Sequence, residues 1–495
     1  MDQKKAPIYD RMLEHRSLGT TSFHVPGHKA GVGLDPLAID ILQTVMSIDL
    51  TELTGLDDLH QPEGIIREAE QLAAGCFGAD HTFLLVGGST VGNLAMILSL
   101  CEKGRENLII VQRNVHKSII HGLMLAGAQA VFLTPQVDGA TGIAAGLALC
   151  DIEAAIRQYP SAVGVLLTNP NYYGMGIELD AIIDCVHAQG KPVLVDEAHG
   201  AHYGFHPDVP RSALAAGADG VVQSTHKMLT AMTMGAMLHL QGNRIDPSSV
   251  RRHLSILQSS SPSYPILASL DLSRRQLHLH GRSLLDKALE AVYRLHQGMR
   301  QMPWYQLVEL DTSTQAYNTL DPLKLTLSDR TGTLGGFELQ HQLEQHRCYP
   351  EMADPNNVVL AFSIATREQD MDRLLHVLLT ISTEFSLDKQ QLAGPAEFAK
   401  IRCAFEYPTI SLPVQFALYT NQPTDLAPPL MTLEVSIEEA VGHVAKQVIT
   451  PYPPGIPILY PGERVSAETA QQLRVWVRSG ARIHGLTKNG NMLVN

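Results

Sequence analysis

Between about residues 61 and 240, short apolar runs alternate with stretches of helical pattern. This alternation restricts the folds open to the chain more than any other feature of the sequence. The runs at 82–86, 108–111, 130–133, 163–167, 192–195 and 220–222 are each too short for a buried helix and apolar on both faces, as strands covered on both sides must be. Between several of them, 91–100, 118–126 and 179–189 read as helices. Strand and helix in turn predict an α/β fold with a mostly parallel sheet covered on both faces, its ligands bound beyond the carboxyl ends of the strands. Residues 1–60 read as an amino-terminal arm of little periodicity and 61–305 as the large domain. A smaller α/β domain is expected over 306–395, with strands at 323–327 and 358–363 and a helix at 371–385. A carboxy-terminal domain is expected over 396–495, with 434–445 helical. Residues 268–300 carry the stripe of a long amphipathic helix.

Every polar cluster in the alternating region falls just past a strand. Gly87-Gly88-Ser89-Thr90-Val91-Gly92-Asn93 closes the first strand and opens a helix, so Ser89, Thr90 and the helix-start N–H groups can receive an anion such as phosphate. No GxxxxGK[ST] occurs, which speaks against a nucleoside triphosphate. His116 follows the next strand, as a hydrogen-bonded cap or as a ring that stacks on a planar group. Asp196-Glu197-Ala198-His199 has the letters of a helicase motif, but that chemistry needs the missing P-loop. A buried carboxylate at Asp196 can instead hold a pyridinium N–H. Ser224-Thr225-His226-Lys227 ends the last strand, where desolvation favours the free amine of Lys227 and hence a Schiff base. Phosphate cradle, stacking histidine, ring-nitrogen aspartate and Schiff-base lysine together specify pyridoxal 5'-phosphate.

Other readings are narrower. His24 and His28 invite a metal, but Pro26 and Gly27 break the helix that would align them, so a loop packed over a site or a neighbouring subunit is expected and no metal site. Thr51 to His60 is rich in acid, either as a solvated turn or as carboxylates that meet a cationic ligand. A net charge of −13 argues against nucleic acid and acidic membrane surfaces and is compatible with a cationic substrate. The six cysteines form no CxxC pair, and no apolar run is long enough to span a bilayer. A soluble, cytoplasmic protein is expected.

In these motifs the chain resembles the group III Orn/Lys/Arg decarboxylases, pyridoxal-phosphate enzymes of fold type I, in the short form without an amino-terminal wing. The resemblance runs from Pro26-Gly27-His28-Lys29 through Gly55-Leu56-Asp57-Asp58-Leu59-His60 and the motifs above. It continues to Ser260-Ser261-Pro262-Ser263-Tyr264, Tyr452-Pro453-Pro454-Gly455 and Pro461-Gly462-Glu463. It implies α-decarboxylation of arginine, lysine or ornithine to CO2 and agmatine or a diamine, in polyamine metabolism. Lys227 would carry the cofactor, Asp196 pair with its ring nitrogen and His116 stack on the ring. Ser89, Thr90, Ser224 and His226 would hold the phosphate, with Ala198 beneath the ring and His199 near the ring oxygen. Ser260, in the stretch 259–264, would reach the phosphate of a neighbouring subunit, making a homodimer or higher homo-oligomer the active unit. Asp57, Asp58 and Glu463 would lie near the substrate entrance. The rivals are an aminotransferase or lyase of the same fold, whose substrate-carboxylate arginine is not evident, and a catalytically silent homologue. The latter would be expected to lose Lys227, Asp196 or His116, all of which are present.

Overall fold

The computed structural model describes residues 1–101, 105–311, 315–392, 407–416, 432–452 and 455–495. Two compact units divide the chain: 1–103, 183–286 and 363–365 in the first, and 104–182, 287–362 and 366–495 in the second. The strands used below are, in chain order, β1 (His81–Leu85), β2 (Leu108–Gln112), β3 (Gln129–Leu133), β4 (Gly164–Thr168), β5 (Met175–Gly176), β6 (Val193–Asp196), β7 (Gly220–Gln223), β8 (Ala236–Leu240), β9 (Tyr305–Leu307), β10 (Thr319–Leu320), β11 (Lys324–Asp329), β12 (Met352–Ala353), β13 (Val358–Ala361) and β14 (Val414–Gln415).

In the first unit β6 and β7 are parallel, with Asp196 in register with Val222, and β8 runs antiparallel to both β7 and β1. In the second unit β2 is parallel to β3 and to β4, and β14 adds an antiparallel edge to β3. The class is the expected one, α/β with a mostly parallel large sheet. Every residue of β2, β6 and β7 is buried, which is why these strands appear in the sequence as unbroken apolar runs rather than as alternations. The second unit also holds an antiparallel sheet in the order β12-β13-β11-β9, with the helices Gly336–Gln345 and Glu368–Glu384. β5 and β10 pair with each other as a two-residue antiparallel ribbon.

The first sixty residues are more than an arm. Pro7–Ser17 is a helix whose Ile8 and Met12 are fully buried in one core with Leu56, Leu59, Ile66, Leu84, Tyr264 and Leu267. Arg274, buried and paired with Asp271, donates to the carbonyls of Gln3 and Lys5, while Asp271 accepts from the Ile8 N–H. Three positions of that helix are buried, Pro7, Ile8 and Met12, too few to register as a periodic stripe.

The segment expected to be helical at 434–445 is not. Leu433–Val435 is a short strand paired with Met492–Val494, and the chain then turns through Gly442 at φ 87°. Its apolar residues Ile437, Ala440 and Ala445 serve a separate core with Leu459, Leu473 and Val494. Among the described residues from 432 onward, the helix is Ala467–Arg478, capped by the Ser466 side chain. The expected boundary at 396 and Pro453-Pro454 lie outside the described residues. Among the described residues no helix is long and apolar enough to cross a membrane.

Candidate active site

Three strand ends of the first unit converge. After β1 the backbone turns through Gly88 at φ 75°, a conformation that side chains resist, and enters the helix Gly88–Leu100 with Ser89 and Thr90 in its first turn. That helix lies hard against the sheet: a Cβ at Gly92 would meet Val222 at 2.5 Å and Leu85 at 2.9 Å. After β7 the Ser224 hydroxyl donates to the Ser89 hydroxyl at 2.8 Å. Two hydroxyls from separate strand ends thus meet at a helix start, an arrangement suited to a phosphate group.

Asp196, the last residue of β6, is 4% exposed. Its Oδ2 accepts from Asn93 Nδ2 at 2.9 Å and its Oδ1 from the Ala198 N–H at 3.2 Å. Burial pushes the carboxyl above its ordinary range, while the positive charge of Lys227 and these two donors pull it back towards ionisation. The Ser224 N–H donates to the Ala198 carbonyl and the Lys227 N–H to the Ser224 carbonyl, stitching the lysine turn to the aspartate turn. Lys227 Nζ, on the single helical turn Thr225–Met228, lies 3.0 Å from Nε2 of the buried His199. His226 donates from Nδ1 to the Gly235 carbonyl at 2.9 Å, so its Nε2 can donate to a phosphate only when the ring is the imidazolium.

In the second unit His116 caps the helix Lys117–Ala126 through Nδ1, which accepts from the Ser118 N–H and hydroxyl. Gly455 packs beside it: its carbonyl accepts from the Lys117 N–H, and a Cβ there would stand 3.4 Å from His116 Cδ2. Glu463 takes Arg113 in a bidentate pair at 2.6 and 2.7 Å. Arg113, 4% exposed, also lies 3.6 Å over the Tyr407 ring, and Tyr460 donates from its hydroxyl to the Arg113 carbonyl. Both oxygens of Glu463 are therefore engaged by a guanidinium, and its charge is neutralised within the unit.

Ser89, Ser224, Asp196, Ala198, His199 and Lys227 are thus brought together, with Thr90 beside Ser89 on the helix. Asp57 and Asp58 have other work. Asp57 accepts from the N–H groups of Asp58, Glu63, Gly64 and Ile66, capping the approach to the helix Ile65–Phe77, and Asp58 accepts from the N–H groups of His60 and Gln61. These bonds hold the Asp57 carboxyl below its usual range despite partial burial. Ser260 is exposed, whereas Tyr264 at the end of its stretch is buried and donates to the Leu56 and Asp57 carbonyls. His28 is engaged by Asp49 and the Gly31 N–H. Sequence reasoning missed Asn93 as the partner of Asp196 and Arg113 as the partner of Glu463. Asn93 had a signal, since it lies one helical turn beyond Ser89 on the same helix.

The donor set fits pyridoxal 5'-phosphate: hydroxyls at a helix start for the phosphate, a buried carboxylate for a ring nitrogen, and a half-buried amine. The family description "Orn/Lys/Arg decarboxylase, major domain" matches residues 6–315, and its C-terminal domain matches 430–487. An uncharacterised Bacillus subtilis protein, YaaO, is 39% identical, covering 97% of this chain and 96% of its own. The arginine decarboxylase of the same organism is 34% identical, with 98% and 96% covered. The solved lysine decarboxylase A of Pseudomonas aeruginosa superposes with a TM-score of 0.80 at 23% identity, over 99% of this chain and 80% of that one. A Sphingomonas wittichii serine palmitoyltransferase shares the fold more distantly, with a TM-score of 0.53 over 72% of this chain and 86% of its own.

Proposed function

Because the chain belongs to the Orn/Lys/Arg decarboxylase family, we propose that it removes the α-carboxylate of a basic amino acid with pyridoxal 5'-phosphate bound through Lys227. Arginine is the preferred candidate among arginine, lysine and ornithine, because the relatives at 34% identity are arginine decarboxylases and those named for lysine stand at 26% and 24%. The product would be agmatine, or a diamine from the other two, in either case material for polyamine metabolism. The observation that carries the reading is Lys227 Nζ at 3.0 Å from His199 on a turn stitched to that of buried Asp196.

When bound, the cofactor supplies an electron-accepting ring for the pair left behind as CO2 departs. Asp196, oriented by Asn93, holds the proton on the ring nitrogen. Ser89, Thr90 and Ser224 would hold the phosphate, joined by His226. His116 would stack on the ring, Ala198 would pack beneath it, and His199 would lie near the ring oxygen. Once the substrate amine has displaced Lys227 from the cofactor, Nζ of Lys227 or Nε2 of His199, 3.0 Å apart, would donate the proton that takes the place of CO2 at Cα. We further infer a cytoplasmic homodimer or higher homo-oligomer in which exposed Ser260 reaches the phosphate of the partner subunit.

Arginine, lysine and ornithine supplied separately with pyridoxal phosphate test the reading by CO2 release and product identity. Agmatine from arginine, abolished in Lys227→Ala, is the expected result. Turnover of none of the three by cofactor-loaded enzyme would refute the reaction.

A further inference from the structure

The second unit contains a cavity of about 210 Å³ that Lys227 does not line. Asp354, 6% exposed, stands in its wall. Oδ1 of Asp354 accepts from the Asn356 and Asn357 N–H groups at 2.7 and 2.8 Å. Oδ2 accepts from the Tyr173 hydroxyl at 2.7 Å and Asn357 Nδ2 at 2.9 Å. All of these donors are neutral, and among the described residues no cationic side chain pairs with Asp354. The guanidinium in the cavity wall, Arg113, is taken by Glu463. Gln472, also in the wall, keeps its Oε1 buried without a hydrogen-bond partner. The cavity wall thus carries one carboxylate whose hydrogen-bond donors are all neutral and one idle acceptor. Trp476 adds an aromatic face, and Ile143, Ile458 and Val475 add apolar wall. A buried charge without a counter-charge is costly, so a cation that brings its own donors is the complementary guest.

We propose that this cavity is a binding site for a short aliphatic cation, ammonium or guanidinium, held by Asp354 with its chain along the apolar wall. The size suits a ligand of that kind, being below the roughly 300–1,000 Å³ typical of pockets for larger organic ligands. The assignment rests on the cavity's own residues and is independent of the decarboxylation reading. Product amines and other cellular amines share the required chemistry.

Trp476 offers a direct readout, since the chain has only two tryptophans. The holoenzyme is titrated with agmatine, cadaverine and, as an uncharged control, pentan-1-ol, while tryptophan emission is followed. At least one amine is expected to change the emission saturably. The change should vanish in Trp476→Phe, need at least tenfold more amine in Asp354→Asn, and need several-fold more in Gln472→Leu. It should persist in Lys227→Ala, which separates this site from the one that carries the reaction. A response to agmatine alone would identify product as the source, and a response to both amines would identify a general amine site. The proposal is overturned if neither amine gives a saturable change, if pentan-1-ol matches cadaverine, if both Asp354→Asn and Gln472→Leu bind as wild type does, or if Lys227→Ala abolishes the response. Should Asp354→Asn fail to fold, Gln472→Leu alone decides.

Discussion

Asn93 donates to Asp196 at 2.9 Å from the same helix that begins with Ser89 and Thr90. One rigid element therefore sets both the hydroxyl cradle and the orientation of the carboxylate. A hydrogen bond to a charged group contributes about 1.5–3 kcal/mol, so Asn93→Ala is expected to weaken pyridoxal-phosphate affinity about 10- to 100-fold. The Asp196 carboxyl, losing a donor that favours its ionised form, should titrate higher. Absorbance of bound cofactor against added cofactor measures the first effect, and an affinity within twofold of wild type would remove Asn93 from this role.

Glu463→Ala leaves the Arg113 guanidinium buried without its carboxylate. Removing one partner of a buried pair costs about 3–5 kcal/mol, and the partial exposure of Glu463 places the expected loss near the lower figure. Urea denaturation reads this directly. Because the pair fixes 460–463 against 113, cofactor affinity should change far less than in Asn93→Ala.

His239 is fully buried between Thr82 and Gln223, and burial lowers its pKa from the ordinary 6.5 to about 3. The unfolded chain therefore takes up this proton first as the solution is acidified. The stability contribution is complete above pH 6.5 and is lost as pH falls towards 3, at about 1.4 kcal/mol per pH unit. Between pH 7 and pH 5 the wild type should lose about 2 kcal/mol more than His239→Gln. Equal losses in paired denaturation curves at the two pH values would contradict the assignment.

Asp57→Ala should cost about 2 kcal/mol of stability, since it strips the acceptor from several backbone N–H groups ahead of a helix. Its Michaelis constant for the amino-acid substrate should stay within twofold. A large rise in that constant at unchanged thermal midpoint would restore Asp57 to the substrate entrance.

The strands of the large sheet were legible because burial on both faces leaves unbroken apolar runs, and β2, β6 and β7 are of that kind. The placement of the Lys227, Asp196 and Ser89 clusters together was legible because each directly follows a buried strand of one α/β sheet. Glu463 was less so: an acid in a Pro-Gly turn looks alike whether it faces substrate or a buried guanidinium, and its partner Arg113 is 350 positions away. The bonds of Asp57 were hidden for a related reason, since the N–H groups that it accepts from belong to the backbone and leave no mark on composition. At 434–445 the apolar spacing suits a helix, but Gly442 and the pairing with 492–494 turn the same residues into a separate small core.

The packing of Ile8 and Met12 on Tyr264 and Leu267, fastened by Arg274 to the carbonyls of Gln3 and Lys5, has a consequence during translation. The first helix can meet Leu56, Leu59 and Ile66 early, but it leaves the ribosome long before Tyr264, Leu267 and Arg274. At about 5–20 residues per second, residue 274 follows residue 8 by roughly 15–50 s. Over that interval an apolar helix face waits for a surface that has not been synthesised. Slow codons between the two segments would lengthen that exposure, and the nascent amino terminus is the place where a holding chaperone would act.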